Sequence, residues 1–379
     1  MATMKNITIM GAGNGGLAMA ADLTFAGFKI NIVESKLYKS NIESLSSTRR
    51  IKLKLSEEIK DDTKLLASGK EGETEISGKI TTDFSKVEKS TDLLIVVSAA
   101  QGHELFFSEI PTKFDKPIVI IAGHYGALSL RNFLKKKGIY NNNLIMETDT
   151  LPYATRKTTK NEVLIFGVKR KFMIGALPSS RGSEALEILR ILYPQIELAK
   201  NVIQTSLSSG NPIMHPISVL SNLYMTEKKF YPYDEDFGQP IYHYYNITPG
   251  TARIMEQIDR ERIEIGKALG LKILSQKERV KELYGAEGPD LYHAMINTKV
   301  YMVGTAPTSL STRYLTEDVP YGLVPAINLA KKVNVETPIT NAVAELACAA
   351  TGTNFFKTGY NLAKLGIENI NGKNVREVL

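Results

Sequence analysis

The chain has 379 residues, of which 43% are hydrophobic and 23% are charged, as in an ordinary globular protein. Its 47 basic and 40 acidic residues leave a net charge of +7 without a nucleic-acid-binding motif, so the charge predicts solubility and at most a mild attraction for small anions. The single cysteine excludes an intrachain disulfide, and no apolar run approaches the roughly 20 residues of a membrane helix. Because a strand and a glycine loop occupy the N-terminus where a signal peptide would lie, we expect a cytoplasmic protein.

The N-terminal residues follow a strand–loop–helix–strand pattern. ITIM at 7–10 predicts a short buried strand, LAMAADLTFAG at 17–27 a helix, and FKINIVE at 28–34 a second strand. Three more apolar runs at 93–99, 117–123 and 144–149 predict strands, with a helix at 127–138. Continuous apolar strands are typical of a parallel sheet covered on both faces. The fold class predicted for residues 1–200 is therefore α/β, with a Rossmann-type doubly wound parallel sheet.

Two further apolar runs follow that sheet. EVLIFGV at 162–168 and KFMIGAL at 171–177 are separated only by Lys169 and Arg170. This spacing predicts a β-hairpin added beyond the parallel sheet.

The apolar spacing changes from strand-like to helical at a boundary between about 180 and 205. Thr248 can cap a helix in which Pro249 suits the first turn, and Gly270 can end it. The apolar face of that helix is predicted to comprise Ile254, Met255, Ile258, Ile265 and Leu269. Residues 323–333 and 337–352 have the same spacing. Residues 201–379 are therefore predicted to form a mostly α-helical second domain.

The glycine loop between the first strand and helix has the GxGxxG pattern. Gly11 permits the tight turn, Gly13 lets the backbone approach a pyrophosphate, and Gly16 lets the helix pack on the strand. Glu34 ends the next strand, where a carboxylate would accept hydrogen bonds from ribose hydroxyls and disfavour a 2′-phosphate. NAD is thus preferred over NADP, although the nearby Lys36 would soften that preference. The cofactor-binding residues predicted here are Gly11, Ala12, Gly13, Asn14, Gly15, Gly16 and Glu34.

A nicotinamide enzyme that reduces a C=O or C=N bond needs a proton donor, and histidine suits this role near neutral pH. His103 and His124 follow strands of the predicted sheet, so each could lie near the cofactor or have a structural role. His243 and His293 have no partner signal and are interpreted as structural. His215, in NPIMHPISVL, stands at the start of the helical domain between two prolines.

Arg313 and Asp318 support the interpretation of His215 as the proton donor. They lie in STRYLTEDVPYGL, which does not have the pattern of a charged helix face. An arginine fork suits a substrate carboxylate, and a buried aspartate beside a histidine would fix its tautomer and raise its pKa.

Five segments, in chain order, resemble the octopine/opine dehydrogenase family. They are GAGNGGLAMAADL at 11–23, ETDTLPYATR at 147–156, MHP at 214–216, PGTARIMEQIDRERIEIGKALG at 249–270 and RYLTEDVPYGL at 313–323. The resemblance implies a Rossmann-like cofactor domain and a helical second domain. It also implies an enzyme that condenses an amino acid with a 2-oxo acid, usually pyruvate, and reduces the imine with NAD(P)H to a secondary amine dicarboxylate.

The resemblance also implies roles for individual residues. His215 of MHP matches the catalytic histidine, and Asp318, five residues after Arg313, matches its partner. Arg313 is expected to hold the oxo-acid carboxylate. Thr150 of the TLP motif and Gln101 after the third strand match residues that contact the substrate. No metal is expected in this site.

The sequence does not identify the amino-acid substrate. Thr155 stands where some family members have cysteine, so that part of the pocket differs. Asp234, Glu235 and Asp236 could favour a basic amino acid or could form a solvated loop. A homodimer is permitted but not decided by the sequence. Two other functions stay open: reduction of a simple 2-oxo acid, as in ketopantoate or hydroxyacid dehydrogenases, and non-catalytic sensing of a nicotinamide.

Overall fold

The computed structural model describes residues 4–228, 233–234, 239–240, 242–371 and 374–375. The chain divides into two compact units, Met1–Thr205 and Ser206–Leu379. The strands of the first unit, in chain order, are β1 (Asn6–Met10), β2 (Lys29–Val33), β3 (Arg50–Leu55), β4 (Gly72–Glu75), β5 (Ile80–Thr81), β6 (Leu93–Val96), β7 (Ile118–Ile120), β8 (Ile145–Thr148), β9 (Tyr153–Lys157), β10 (Glu162–Val168), β11 (Phe172–Leu177) and β12 (Ile196–Leu198). Its helices are α1 (Asn14–Phe25), α2 (Ser40–Thr48), α3 (His103–Phe107), α4 (Gly126–Lys136) and α5 (Gly182–Arg190), and α6 (Val202–Ser208) runs through the division.

The central feature of the first unit is an eight-stranded sheet in the order β12-β11-β8-β7-β6-β1-β2-β5. β1 pairs in parallel with β2 on one side and with β6 on the other, and β7 and β8 continue the parallel arrangement. The strand order therefore reverses at β1 and β6, which is where open α/β sheets bind ligands beyond the carboxyl ends of their strands. Ile7 and Ile9 of β1 are fully buried because both faces of the sheet are covered. The predicted Rossmann-type fold is confirmed.

The hairpin predicted for 162–168 and 171–177 is wrong. β10 belongs to a separate four-stranded sheet in the order β4-β3-β10-β9, whereas β11 joins the main sheet antiparallel to β8. Lys169 and Arg170 lack the Asn-Gly type of chemistry that a two-residue hairpin turn requires. The true hairpin joins β9 to β10, and the Thr158 hydroxyl donates to the Glu162 carboxylate across its turn at 2.6 Å.

The second unit is mostly helical, as predicted. Its helices are α7 (Asn211–Leu220), α8 (Leu223–Lys228), α9 (Pro249–Ala268), α10 (Gln276–Tyr284), α11 (Leu291–Ile296), α12 (Arg313–Thr316), α13 (Val324–Lys332), α14 (Pro338–Thr351), α15 (Phe355–Thr358) and α16 (Leu362–Leu365). Two short strands, β13 (Tyr233–Asp234) and β14 (Gln239–Pro240), pair antiparallel. Among the described residues, no helix combines the length and the apolar character that a membrane crossing requires.

Helix α9 begins and ends where its capping residues predict. The Thr248 hydroxyl accepts a hydrogen bond from the Thr251 N–H at 3.2 Å, and Gly270 ends the helix with φ +66°. One residue of the predicted apolar face is wrong: Ile254 is 37% exposed. The inner face instead includes the buried Asp259–Arg262 ion pair, which the apolar pattern could not reveal.

Candidate functional site

The glycine loop of the first unit has the geometry of a dinucleotide-binding turn. Gly11 has φ +105°, and a Cβ there would lie 2.2 Å from the carbonyl oxygen of Val97. A Cβ on Gly16 would lie 1.8 Å from the carbonyl oxygen of Gly11, so neither position accepts a side chain. Apart from Gly13 itself and its two chain neighbours, no atom of the described residues lies within 4 Å of the position that a Cβ on Gly13 would take. The loop thus leaves room beside Gly13, and α1 begins with Asn14, so this turn fits the pyrophosphate of a bound dinucleotide.

Glu34 lies at the end of β2 and is buried against this loop. Its Oε2 accepts from the Ala12 N–H at 3.0 Å and from the Asn41 amide at 3.1 Å. Its Oε1 accepts from the Ser35 N–H at 2.8 Å. The carboxylate therefore braces the glycine loop, and its contact with a ribose stays a prediction.

Lys157 is a neighbour of this region that the sequence did not reveal. Its backbone N–H donates to the Asn14 side-chain oxygen at 3.0 Å, which ties β9 to the first residue of α1. Burial lowers the pKa of the Lys157 ammonium, and the negative charge of Glu34 opposes that shift. The Lys157 ammonium therefore lies close enough to Glu34 for their opposite charges to interact.

Gln101 and Thr150 follow β6 and β8 at their carboxyl ends. Gln101 is exposed in the turn Ala100–Gly102, and the Thr150 carbonyl accepts from the Thr148 hydroxyl at 2.9 Å. Since β6 and β8 run in the same direction as β1, both residues lie at the same edge of the sheet as the glycine loop. Their contact with substrate stays a prediction.

The other histidines have distinct environments. His103 is fully buried, and its ring stacks on Phe107 with centroids 5.3 Å apart, which fits the structural interpretation. His124 is buried after β7 in a left-handed backbone conformation. His293 is exposed, and its Nδ1 lies 2.7 Å from the Asp290 carboxylate. The sequence indicates no partner for His243, yet its ring centroid lies 5.5 Å from that of His215.

His215 and Asp318 form a buried pair in the second unit. His215 lies inside α7, is 5% exposed, and its Nδ1 is 2.6 Å from Oδ2 of Asp318, which is 2% exposed. A carboxylate can only accept, so the proton of the neutral imidazole belongs on Nδ1. Asp318 immediately precedes a π-helical turn, Val319–Leu323, and a Cβ on Gly322 of that turn would lie 2.4 Å from Cγ of Pro212 in α7. The turn and the helix are thus in direct contact.

An aromatic cluster surrounds the His215 ring. Tyr314 packs against it with centroids 4.0 Å apart, and the Tyr244 hydroxyl donates a hydrogen bond to Nε2. Tyr244 in turn stacks on Tyr301 with centroids 4.4 Å apart. Sequence reasoning missed Tyr244 because its spacing from His215 carries no motif. The only available signal was the density of aromatic residues in YHYYN.

Arg313 is paired with a carboxylate that the sequence analysis did not single out. Its Nη2 lies 2.6 Å from Oε2 of Glu317, and the side chains of Arg313 and Glu317 are 64% and 5% exposed. Arg313 begins α12, and Glu317 follows at the i, i+4 position, so a single helical turn brings them together. The guanidinium is held in place by Glu317 while much of it faces solvent.

Burial lowers the pKa of His215 from 6.5 to about 3, while Glu317 raises it and Arg313 lowers it further. The free imidazole is therefore neutral at physiological pH, with an accepting lone pair on Nε2. An anionic substrate would act in the same direction as Glu317, raising this pKa towards neutrality.

The lowered pKa predicts a pH dependence of stability. The unfolded histidine binds a proton below about pH 6.5, whereas the folded one resists protonation down to about pH 3, so folded-state stability falls as pH decreases through this window. We expect the thermal midpoint of the wild type to decrease on acidification from pH 7 to 4 more steeply than that of His215→Gln. Parallel slopes in the two melting series would contradict the assignment.

A cleft of about 300 Å³, including its open mouth, lies in the second unit. Its lining includes Ser218, Asn222, Tyr242, His243 and Asn246. His243 therefore belongs both to this cleft and to the ring cluster around His215. Of the three clustered acids considered for amino-acid recognition, Asp234 lies in β13, and Glu235 and Asp236 lie outside the described residues.

Residues 198–351 match the family model described as NAD/NADP octopine/nopaline dehydrogenase, alpha-helical domain. An opine dehydrogenase of Arthrobacter sp. (strain 1C) is 30% identical over 384 residues, which cover 100% of both chains.

Two groups of solved structures share the fold. An octopine dehydrogenase structure with NADH and pyruvate superposes with a TM-score of 0.68 at 20% identity, covering 95% of this chain and 93% of that one. A yersinopine dehydrogenase structure with bound NADP+ superposes with a TM-score of 0.69 at 13% identity, covering 100% and 98%. These likenesses extend over both units.

Proposed function

Because this chain belongs to the opine dehydrogenase family of NAD(P)-dependent oxidoreductases that act on CH–NH groups, we propose that it joins an amino acid to a 2-oxo acid and reduces the resulting imine, reversibly. The product is a secondary amine dicarboxylate. Residues 1–200 serve as the dinucleotide-binding domain and residues 201–379 as the helical substrate domain. The observation that carries this proposal is the buried His215–Asp318 pair with Arg313 five residues before the aspartate.

Each residue has a defined task in this proposal. The glycine loop from Gly11 to Gly16 and Glu34 hold the cofactor, which supplies the hydride when bound. His215 exchanges a proton with the substrate nitrogen, and Asp318 keeps Nδ1 protonated and stabilises the imidazolium.

The substrate's carboxylates need cationic and polar partners. Arg313 binds the oxo-acid carboxylate through its guanidinium fork, Gln101 lies beside the oxo acid, and Thr150 contacts the substrate. Pyruvate is the oxo acid we propose, and it is named as a ligand of the octopine dehydrogenase structure. Glu34 favours NAD, whereas Lys36 and Lys157 would temper its repulsion of a 2′-phosphate. The single cysteine and the reaction class support a place in cytoplasmic amino acid metabolism.

The deciding experiment follows NADH oxidation with pyruvate in the presence and absence of each amino acid in a panel. We expect turnover only when both substrates are present, with a product mass equal to pyruvate plus the amino acid, minus water, plus two hydrogens. Oxidation with pyruvate alone, giving a hydroxy acid, would replace this proposal with simple oxo-acid reduction. Tight NADH binding without turnover on the whole panel would indicate a sensor.

Arg313→Ala is expected to raise the KM for the oxo acid by about 10- to 100-fold, because a charge-assisted hydrogen bond to a carboxylate is lost. The KM for the amino acid should change much less. Arg313→Lys is the matched variant, because it keeps the positive charge but loses the planar fork. Its KM for the oxo acid should fall between those of the wild type and Arg313→Ala. Steady-state kinetics with the oxo acid varied at saturating amino acid measure the effect. An unchanged oxo-acid KM in Arg313→Ala would remove this residue from the substrate site.

A further inference from the structure

Both ring nitrogens of His215 make hydrogen bonds to other side chains. Nδ1 is bonded to Asp318, and Nε2 to the Tyr244 hydroxyl. Nε2 is the only ring nitrogen from which a proton can be exchanged without breaking the aspartate contact. The atom that meets this nitrogen is Oη of Tyr244, and no substrate nitrogen can reach Nε2 while that bond persists.

The aromatic rings packed around His215 further limit the routes by which a proton can reach its Nε2. Tyr314 covers the imidazole with centroids 4.0 Å apart, and the His243 ring approaches at 5.5 Å. His215 itself is nearly inaccessible to solvent, whereas Tyr244 is partly exposed. Of the two residues in this hydrogen bond, Tyr244 is therefore the one that solvent can reach.

The Tyr244 ring is held in place from the opposite side. It stacks on Tyr301 at 4.4 Å, and Tyr284 packs edge-on against Tyr301 at 5.7 Å. Tyr301 is buried, so Tyr244 rests on a ring that is itself fixed. Because the ring is supported in this way, we expect the Tyr244 hydroxyl to stay hydrogen-bonded to Nε2 during the reaction and not to rotate away.

We infer that the Tyr244 hydroxyl relays the proton between His215 and the substrate nitrogen, an inference that rests on the proposed imine reduction. As the imine carbon gains hydride, the nitrogen takes the hydroxyl proton of Tyr244, and the Nε2 proton of the imidazolium passes to Oη. One N–H bond forms at the substrate and one breaks at His215, while the tyrosine exchanges one O–H proton for another. In the oxidation direction each transfer is reversed, so Tyr244 ends every turnover unchanged.

Tyr244→Phe tests the relay, because it removes the hydroxyl and keeps the ring that stacks on Tyr301. We expect single-turnover NADH oxidation to slow by about 10²-fold or more, with NADH affinity and the oxo-acid KM close to wild type. The pH profile of the rate should also change, because the group that delivers the proton has been removed. Tyr245→Phe is the matched control: Tyr245 is the adjacent, exposed tyrosine, and we expect wild-type kinetics.

A rate within about threefold of wild type with an unchanged pH profile would overturn the relay. A faster rate would overturn it too, since the hydroxyl would then only obstruct Nε2.

A second test uses the wild-type protein, so it does not depend on the folding of a variant. It is a proton inventory, in which the rate is measured in mixtures of H₂O and D₂O. A relay moves two protons together and gives a curved dependence of rate on the D₂O fraction, whereas a linear dependence means one moving proton and refutes it. Failure of the condensation itself is distinguishable, because the wild-type substrate panel would then give no product.

Discussion

Replacing His215 with asparagine is expected to lower turnover by about 10²- to 10⁴-fold, the usual contribution of a general acid–base group, while NADH affinity changes by less than about twofold. The residues assigned to the dinucleotide, Gly11 to Gly16 and Glu34, belong to the first unit, whereas His215 is buried in the second. Asparagine is preferred to alanine because its amide can still donate to Asp318. Leaving that buried carboxylate without its histidine would cost about 3–5 kcal/mol of stability.

The measurement pairs a fluorescence titration of NADH with single-turnover NADH oxidation. The second unit provides a matched control in His293, which also contacts an aspartate through Nδ1, at 2.7 Å, but on the surface. His293→Asn should behave as wild type in both assays. If His215→Asn keeps near-normal turnover, another group supplies the proton and the assignment fails.

Asp318→Asn is expected to reduce turnover by a similar factor, about 10²- to 10⁴-fold, without changing the side-chain volume. The amide can present its N–H to Nδ1, which would favour the wrong tautomer, and it lacks the negative charge that stabilises the imidazolium. For imine reduction, where the histidine must be protonated, we expect the remaining activity to have its optimum at lower pH. This direction follows because removing a neighbouring anion lowers the basicity of the imidazole.

The pH profile of the residual rate separates this role from a purely structural one. A variant damaged only in folding would lose amplitude at every pH and would also melt earlier. Asp290→Asn, the partner exchange in the surface pair with His293, is the control and should leave kinetics unchanged. An Asp318→Asn enzyme with wild-type rate and optimum would show that the aspartate does not act on His215.

Much of the fold could be predicted because its signals are local. The strand at 7–10 and the helix after the glycine loop follow from apolar spacing and turn chemistry, and Thr248 and Gly270 bound α9 by capping. The hairpin at 162–177 was wrong because two neighbouring apolar runs do not reveal which strand each will pair with. Phe172–Leu177 is buried against β8, a strand more than twenty residues away, and that pairing depends on the whole sheet.

Some residues of the candidate site could likewise be predicted from the sequence, and others could not. His215, Arg313 and Asp318 could be proposed from their types and from the family resemblance, and the structure brings the histidine and the aspartate into hydrogen-bond contact. Glu317 and Tyr244 could not, since a carboxylate beside an arginine and a tyrosine among tyrosines are common in any sequence. Glu317 matters because it is buried beside Arg313. Tyr244 matters because it contacts His215 across about thirty residues of chain. Both features are defined only in the folded protein.

Pro212 lies in the first turn of α7, and its ring occupies the volume that a side chain on Gly322 would fill. The helix that bears His215 and the turn that follows Asp318 are therefore fixed against each other by backbone and a rigid ring, without a flexible side chain between them. In the proposed mechanism, such an arrangement would keep the His215–Asp318 pair preorganised, so that little reorganisation energy has to be supplied when charge develops on the imidazole. A bulkier residue at 322 would thus act on the chemical barrier through the separation of the two partners, although it touches neither of them.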